Sequence, residues 1–117
     1  MRKDQRLHVR YELIDFALIE TPEGEAIRCV IVDVSLGGLQ IRSKQNLPVG
    51  EKCFLRMAFG DKKLLRIRGE VRHSQPVAGA ELFASGFRFL PESEQQRREV
   101  MQYVHEVFVR KSEVLVS

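Results

Sequence analysis

The sequence has few of the features that mark membrane insertion, secretion or a metal centre. No apolar run reaches the length of a transmembrane helix, and no apolar signal-peptide segment follows the basic N-terminus. We therefore expect a cytoplasmic protein without membrane insertion. Of the two cysteines, Cys29 and Cys53, neither belongs to a Cys-x-x-Cys pair or to a Cys/His cluster at metal-ligand spacing. A disulfide between them is not excluded, but we expect two reduced core thiols and no metal.

Catalytic groups are equally scarce. The sequence contains no recognisable nucleophile–base pair, carboxylate pair or metal cluster, so an enzyme is the least supported class. The three histidines do not change this conclusion. We expect His73, after a strand, and His105, on a helix, to be solvated and outside any site, whereas His8 fits a ligand contact and a bystander equally.

The residues that are present describe one globular domain with an unusual distribution of charge. The 117 residues are 44% hydrophobic and 30% charged, which suffices for one core without disulfide or metal support. The formal net charge of +3 lies in the first ten residues, because the rest of the chain holds fifteen basic and fifteen acidic residues. A cationic arm on a neutral body indicates a specific anionic partner.

Turn signals divide the chain after this arm into six strands and one helix. Strands are predicted over residues 11–19, 26–34, 39–42, 51–59, 64–73 and 82–89, with a tight turn at Gly60-Asp61-Lys62 and a loop over 75–80. A helix is predicted to begin near Ser93 and Gln96, which have capping-box spacing, and to end near Arg110. Its predicted apolar stripe consists of Val100, Met101, Val104, Val107 and Phe108.

This order of elements predicts a mainly β fold. Six short strands followed by one helix are typical of a small antiparallel β-barrel with a C-terminal α-helix over one opening. We expect three segments: a flexible basic arm over residues 1–9, a barrel domain with its helix over 10–111, and a tail over 112–117.

Two segments carry chemistry that suits a guanine nucleotide. Arg6 and Arg10 form an Arg-x-x-x-Arg unit, and the guanidinium fork matches both phosphate and the O6 and N7 acceptors of guanine. Asp33 ends the second strand, and an ionised carboxylate only accepts hydrogen bonds, which suits the N1–H and N2–H₂ donors of guanine. Each segment alone has a plainer interpretation, a solvated arm for the arginines and a simple turn for the Asp33 segment.

The turn after Asp33 adds two further features. Ser35 offers a small donor and acceptor beside the carboxylate. Gly37 and Gly38 permit positive φ angles and a close approach of the backbone to a ligand. Together with the arginine arm, this turn has the chemistry to hold one ligand.

The ordered combination of these motifs resembles the bacterial PilZ domain family. It comprises Arg6-x-x-x-Arg10, Asp33-x-Ser35-x-x-Gly38, the strands over 69–72 and 85–89, and the C-terminal helix, from residue 6 to about 110. The resemblance implies a six-stranded PilZ-type barrel that binds cyclic di-GMP and needs no other cofactor. It further implies that Arg6 and Arg10 clamp the ligand over a floor formed by Asp33, Ser35 and Gly38. Secondary candidates are Arg2, Gln5 and Gly37.

The resemblance also implies a mode of action. Ligand binding would change the conformation of the arm and signal to a downstream partner protein that controls motility, polysaccharide or biofilm formation. The residue before Arg6 is Gln5, a position associated in the family with ligand number, and both one ligand and a stacked pair stay open. The chain could act as a monomer or as a homodimer.

Two alternative functions remain at this point. A small-barrel nucleic-acid binder would use the basic strand residues Arg66, Arg68 and Arg72, in line with the pI of 9.1. We disfavour it because acidic residues elsewhere cancel this charge and few aromatic side chains are left for base stacking. A ligand-free adaptor that uses the barrel for protein contacts is the other alternative.

Overall fold

Apolar and polar residues alternate along the strands and produce a closed sheet with an apolar interior. The structure is a computed structural model that describes residues 11–59 and 63–116, with side chains described over 15–58 and 64–110. The predicted turn at residues 60–62 lies outside this range, as does the predicted arm over 1–9. Within the described residues the elements are β1 (Tyr11–Glu20), β2 (Ala26–Val34), β3 (Gly38–Ser43), β4 (Lys52–Phe59), β5 (Lys63–Pro76), β6 (Phe83–Phe89) and α1 (Glu94–Val116).

The six strands close in the order β1-β2-β3-β6-β5-β4, and every neighbouring pair is antiparallel. This topology confirms the predicted mainly β fold, a six-stranded antiparallel barrel with a C-terminal helix. β5 is longer than predicted, because it continues past His73 to Pro76, where a loop was expected. Pro76 is accommodated at the very end of the strand, where it lies opposite Phe83.

The inward-facing side chains of the strands form the core. On β5, Leu65, Ile67 and Val71 are at most 2% exposed, whereas Arg66 and Arg72 on the opposite face are exposed. The alternation that identified this strand in the sequence thus corresponds to an inner and an outer face of the barrel. Both cysteines are buried free thiols in this core, which confirms the expectation of two reduced core cysteines.

α1 packs onto the barrel core through a narrower stripe than predicted. Val100, Tyr103, Val104 and Val107 are buried, and they share one face of the helix at 100° per residue. The prediction that Met101 and Phe108 belong to the apolar stripe is wrong, because these side chains are 53% and 44% exposed. Each follows a buried residue by one position, so it lies at the rim of the stripe.

The start of α1 agrees with the predicted cap, whereas its end lies beyond the predicted one. Gln96 N–H donates to Ser93 Oγ at 3.1 Å, and Gln96 Oε1 accepts from Glu92 N–H at 2.7 Å, which confirms the predicted start of the helix. The helix ends at Val116 rather than near Arg110, so much of the predicted tail is helical. No glycine or proline follows Pro91, and the chain therefore lacks the usual signal that stops a helix.

Candidate functional site

A β-bulge turns the carboxylate of Asp33 toward the outer face of the barrel. Ile31 and Val34 are both fully buried, although strict alternation would place them on opposite faces. The register slips between Ile31 and Asp33, so that Asp33 lies opposite Gln40 at the end of the β2–β3 ladder. Gln40 lies between the inward-facing residues of β3, and residues opposite each other share a face. Asp33 is therefore half-buried on the outer wall.

Hydrogen bonds within the turn hold Ser35 beside this carboxylate. Ser35 N–H donates to the Gly38 carbonyl at 2.8 Å, and Gly37 N–H donates to Ser35 Oγ at 3.3 Å. The side chain is only 4% exposed. Ser35 thus stabilises the turn that carries Asp33, and its hydroxyl oxygen already accepts one hydrogen bond there.

Gly38 allows β6 to approach the turn closely. A Cβ at this position would collide with the Phe87 carbonyl oxygen and lie 3.2 Å from Arg88 Cα. The neighbouring Gly37 carbonyl accepts a hydrogen bond from Phe89 N–H at 3.0 Å. The glycine therefore serves strand packing in this structure.

The positive φ angles that the sequence analysis allowed at the Gly-Gly pair are not found there. Among the described residues, positive φ occurs at Gly24, Gly50 and Gly79 only. Gly38 is the first residue of β3, and its extended backbone needs no left-handed conformation.

Strand pairing brings the first residue of β1 to the same turn. Tyr11, the first residue of β1, lies opposite Val34, between Asp33 and Ser35 in the sequence. In the sequence, Arg10 directly precedes Tyr11. The predicted ligand-binding residues of the arm lie outside the described residues: Arg2, Gln5, Arg6 and Arg10.

A row of residues that sequence analysis missed continues from Asp33 across the outer wall. Gln40 lies opposite both Asp33 and Gly86, and Gly86 lies opposite His73. A Cβ at Gly86 would collide with His73 Nε2 and lie 2.9 Å from Gln40 Nε2, so both side chains lie over this glycine. The signal was a glycine inside a predicted strand, which indicates close approach of other groups.

His73 is therefore placed differently from our expectation. It lies inside β5 rather than at the end of the strand, and it is exposed on the same face as Asp33 and Gln40. A second bulge, between Val71 and His73, sets it opposite Gly86. The structure thus confirms that His73 is solvated and, in addition, aligns it with the candidate site.

The basic strand proposed for nucleic-acid binding is balanced by glutamates. Arg66 Nη2 lies 2.9 Å from Glu20 Oε1, and Arg68 Nε lies 3.4 Å from Glu92 Oε2. Arg72 Nη1, on the third arginine, lies 3.7 Å from Glu70 Oε1, and Arg88 Nη2 lies 3.0 Å from the same oxygen. A phosphate backbone would have to displace these acidic partners, so the arrangement disfavours the nucleic-acid alternative.

Burial and ion pairing change the pKa of several described groups of the barrel. Burial raises the pKa of the Cys29 and Cys53 thiols to about 12, so both stay protonated near neutral pH and are poor nucleophiles. Hydrogen bonding from Arg66 is the main cause that lowers the pKa of Glu20.

Across residues 11–59 and 63–116, no three His, Cys, Asp or Glu side chains are grouped to hold a metal ion. No helix in these ranges is long and apolar enough to cross a membrane.

Comparison with known proteins identifies the family of most of this chain. The family model described as PilZ domain matches residues 4–106, which include Arg6, Arg10, the barrel and the first part of α1. No curated protein matches the chain.

Solved structures share the fold at low sequence identity. The PilZ domain with c-di-GMP of YcgR from Escherichia coli superposes with a TM-score of 0.78 at 15% identity, over 97% of this chain and 99% of that one. The Bacillus subtilis inhibitor of motility MotI/DgrA gives 0.74 at 17%, over 95% of this chain and 55% of its own. The MrkH-c-di-GMP complex of K. pneumonia gives 0.73 at 16%, over 94% and 54%. The chain thus spans about half the length of the last two proteins.

Proposed function

Because the chain belongs to the PilZ domain family, we propose that it is a receptor that binds cyclic di-GMP between its N-terminal arm and the turn after β2. One observation carries the proposal: Tyr11, which follows Arg10 in the sequence, lies opposite Val34, the residue between Asp33 and Ser35. The YcgR PilZ domain and MrkH, which share this fold, are both known in structures with c-di-GMP. PilZ domains are receptors rather than enzymes, in agreement with the scarcity of catalytic groups in the sequence.

The chemistry of the two segments is complementary. The guanidinium groups of Arg6 and Arg10 are planar donors that pair with phosphate oxygens and with the O6 and N7 acceptors of guanine. The carboxylate of Asp33, turned outward by its bulge, accepts from the N1–H and N2–H₂ donors on the opposite edge of the base. Ser35 and Gly38 act mainly on the shape of the turn, which fixes where the Asp33 carboxylate stands.

Ligand binding would couple to the conformation of the arm. Fixing an arm of this kind costs conformational entropy, which new contacts to phosphate and base would offset. We propose that the ordered arm and the adjoining wall then form the surface that a downstream cytoplasmic protein recognises. Control of motility, polysaccharide or biofilm formation is the output expected of such a receptor.

Isothermal titration calorimetry of the full chain with cyclic di-GMP tests this function. We expect saturable binding by the wild type, and losses of about tenfold or more in Arg6→Ala and Asp33→Ala, since each removes a charged hydrogen-bonding partner. Arg98→Ala and Glu81→Ala change an exposed arginine and an exposed carboxylate elsewhere, and they should bind like the wild type. Wild-type affinity in both site variants would refute the assigned residues. A wild type that does not bind would refute the receptor function and leave the ligand-free adaptor.

A further inference from the structure

We infer that the outer wall of β1 carries a docking site for an acidic segment of a partner protein, centred on the exposed ring of Phe16. This site goes beyond the proposed function, because it requires no cyclic di-GMP. It lies over β1, β4 and the first residues of β5, whereas the proposed ligand site lies at the turn after β2.

An apolar row crosses the barrel wall at Phe16. Phe16 lies opposite Val30 on β2, and Ala58 on β4 lies opposite Leu64 on β5. The pairing of β1 with β4 joins these two pairs into one outward-facing row. Phe16 is 76% exposed and Leu64 is 67% exposed, so both side chains contribute little to the core. An exposed row of this kind marks a surface that another molecule covers.

The ring of Phe16 stands between two shallow grooves of the wall. One groove lies between Phe16, Leu18 and Leu64, and the other runs from Phe16 along β2 toward Leu82. A ring between two grooves gives a partner one apolar anchor to enclose and space on each side for its own side chains. The wall therefore fits a short protein segment.

The charges around the ring are of one sign. In the described part of the chain, every charged side chain that lines the two grooves is basic: Arg28, Arg42, Lys44 and Arg56. Arg56 pairs with Glu20 at 3.1 Å, and Arg42 donates to a neighbouring backbone carbonyl at 3.0 Å. Within the described residues, Arg28 and Lys44 make no ion pair. Guanidinium and ammonium groups bind carboxylates, so the occupant is acidic as well as apolar.

This charge also decides between the possible occupants. In a symmetric dimer, a second copy would bring the same basic residues against Arg28 and Lys44, and like charges repel. An anionic membrane would be repelled by Glu23 and Glu25, which are exposed in the turn that follows β1. A protein segment confined to the grooves meets the basic side chains and avoids these glutamates.

Photo-crosslinking identifies what covers Phe16. The photoreactive analogue p-benzoylphenylalanine replaces Phe16 in the full chain, within the cells that produce it, and the crosslinked peptide is sequenced by mass spectrometry. We expect a protein segment of net negative charge that contains an apolar residue. The same analogue at Phe108, an exposed aromatic residue of α1, should not capture it. No crosslink beyond this control, a crosslink to a second copy or to lipid, or a segment without an excess of acidic residues would overturn the inference.

Calorimetry with a synthetic peptide of the captured sequence measures what each residue contributes. Phe16→Ala and Arg28→Glu should each weaken binding by about tenfold or more, because the first removes the apolar anchor and the second reverses a charge. Phe108→Ala and Arg98→Glu change the same residue types on α1 and should bind like the wild type. Equal affinity in all four variants would overturn the docking site.

Titration with cyclic di-GMP separates this inference from the proposed function. Phe16→Ala should keep the wild-type affinity for cyclic di-GMP, and Arg6→Ala should keep the wild-type affinity for the peptide. Peptide binding by a wild type that does not bind cyclic di-GMP would refute the receptor function and leave the docking site. Binding of cyclic di-GMP without the predicted crosslink would do the reverse. Thermal unfolding of each variant shows that it is folded before affinities are compared.

Discussion

The packing of Gly38 against β6 leads to a prediction about stability. In Gly38→Ala, the new methyl group would meet the Phe87 carbonyl oxygen and lie within 3.2 Å of Arg88 Cα. These are backbone atoms, so no side-chain rotation relieves the contact, and β3 must move away from β6. We therefore expect a loss of stability that is independent of ligand.

The magnitude follows from the nature of the collision. Overpacking a well-packed site costs about 1–3 kcal/mol, and contact with backbone atoms places Gly38→Ala at about 3 kcal/mol. For a domain of this size, the melting temperature falls by roughly 4 °C per kcal/mol, so a decrease of about 12 °C is expected. The variant should still fold, because small domains are stable by about 5–15 kcal/mol.

Chemical denaturation with a matched glycine variant tests this reasoning. Gly24 has a positive φ angle of 93°, but nothing lies within 4 Å of its added Cβ. Gly24→Ala should therefore lose only about 1 kcal/mol, from backbone strain alone. If Gly38→Ala is no less stable than Gly24→Ala, the packing explanation is refuted, and the glycine would then be required for another reason.

Three further predictions concern the core and the charged groups. Val107→Ala should cost about 2 kcal/mol in urea denaturation and Phe108→Ala less than about 0.5 kcal/mol, because only Val107 is buried; equal losses would contradict the observed helix stripe. Cys29 and Cys53 should react with a thiol reagent at about pH 8 far more slowly in the native than in the unfolded protein, since burial raises their pKa to about 12; rapid labelling of native protein would count against it. The lowered pKa of Glu20 means that its ion pairs stabilise the fold above the ordinary pKa of 4.5 and lose this effect as the pH falls through the folded value. The stability difference between wild type and Glu20→Gln should therefore shrink from about pH 7 to about pH 3, and a constant difference would speak against this coupling.

Much of the fold could be predicted from periodicity and turn signals. The alternation around Ile67 and the turn residues between strands were sufficient to find all six strands, because burial on one side imposes a period of two. The helix was found from its cap at Ser93 and its apolar spacing. The predicted core included Phe108 and left out Tyr103, whereas the structure buries Tyr103 and exposes Phe108. Both residues fit a broad apolar stripe, and only tertiary packing decides which of them is covered.

Only part of the candidate site could be predicted from the sequence. The motif around Asp33 and Ser35 stands out by residue type, but the outward turn of Asp33 depends on a bulge that spacing does not reveal. The alignment of Gln40 and His73 over Gly86 joins β3 to β5 and β6, which follow it in the chain only after β4. Such a row follows from sheet order and register, which are set by the whole barrel rather than by any local segment.

The central claim is that cyclic di-GMP binds at the junction of the N-terminal arm and the β2–β3 turn. Amide chemical-shift mapping of the labelled full chain during titration with cyclic di-GMP tests this most directly. We predict the largest shifts in the arm up to Arg10 and over residues 33–38, with smaller shifts at Gln40, His73 and Gly86. Absence of shifts, or shifts confined to the outer face of α1 around Met101 and Phe108, would contradict it.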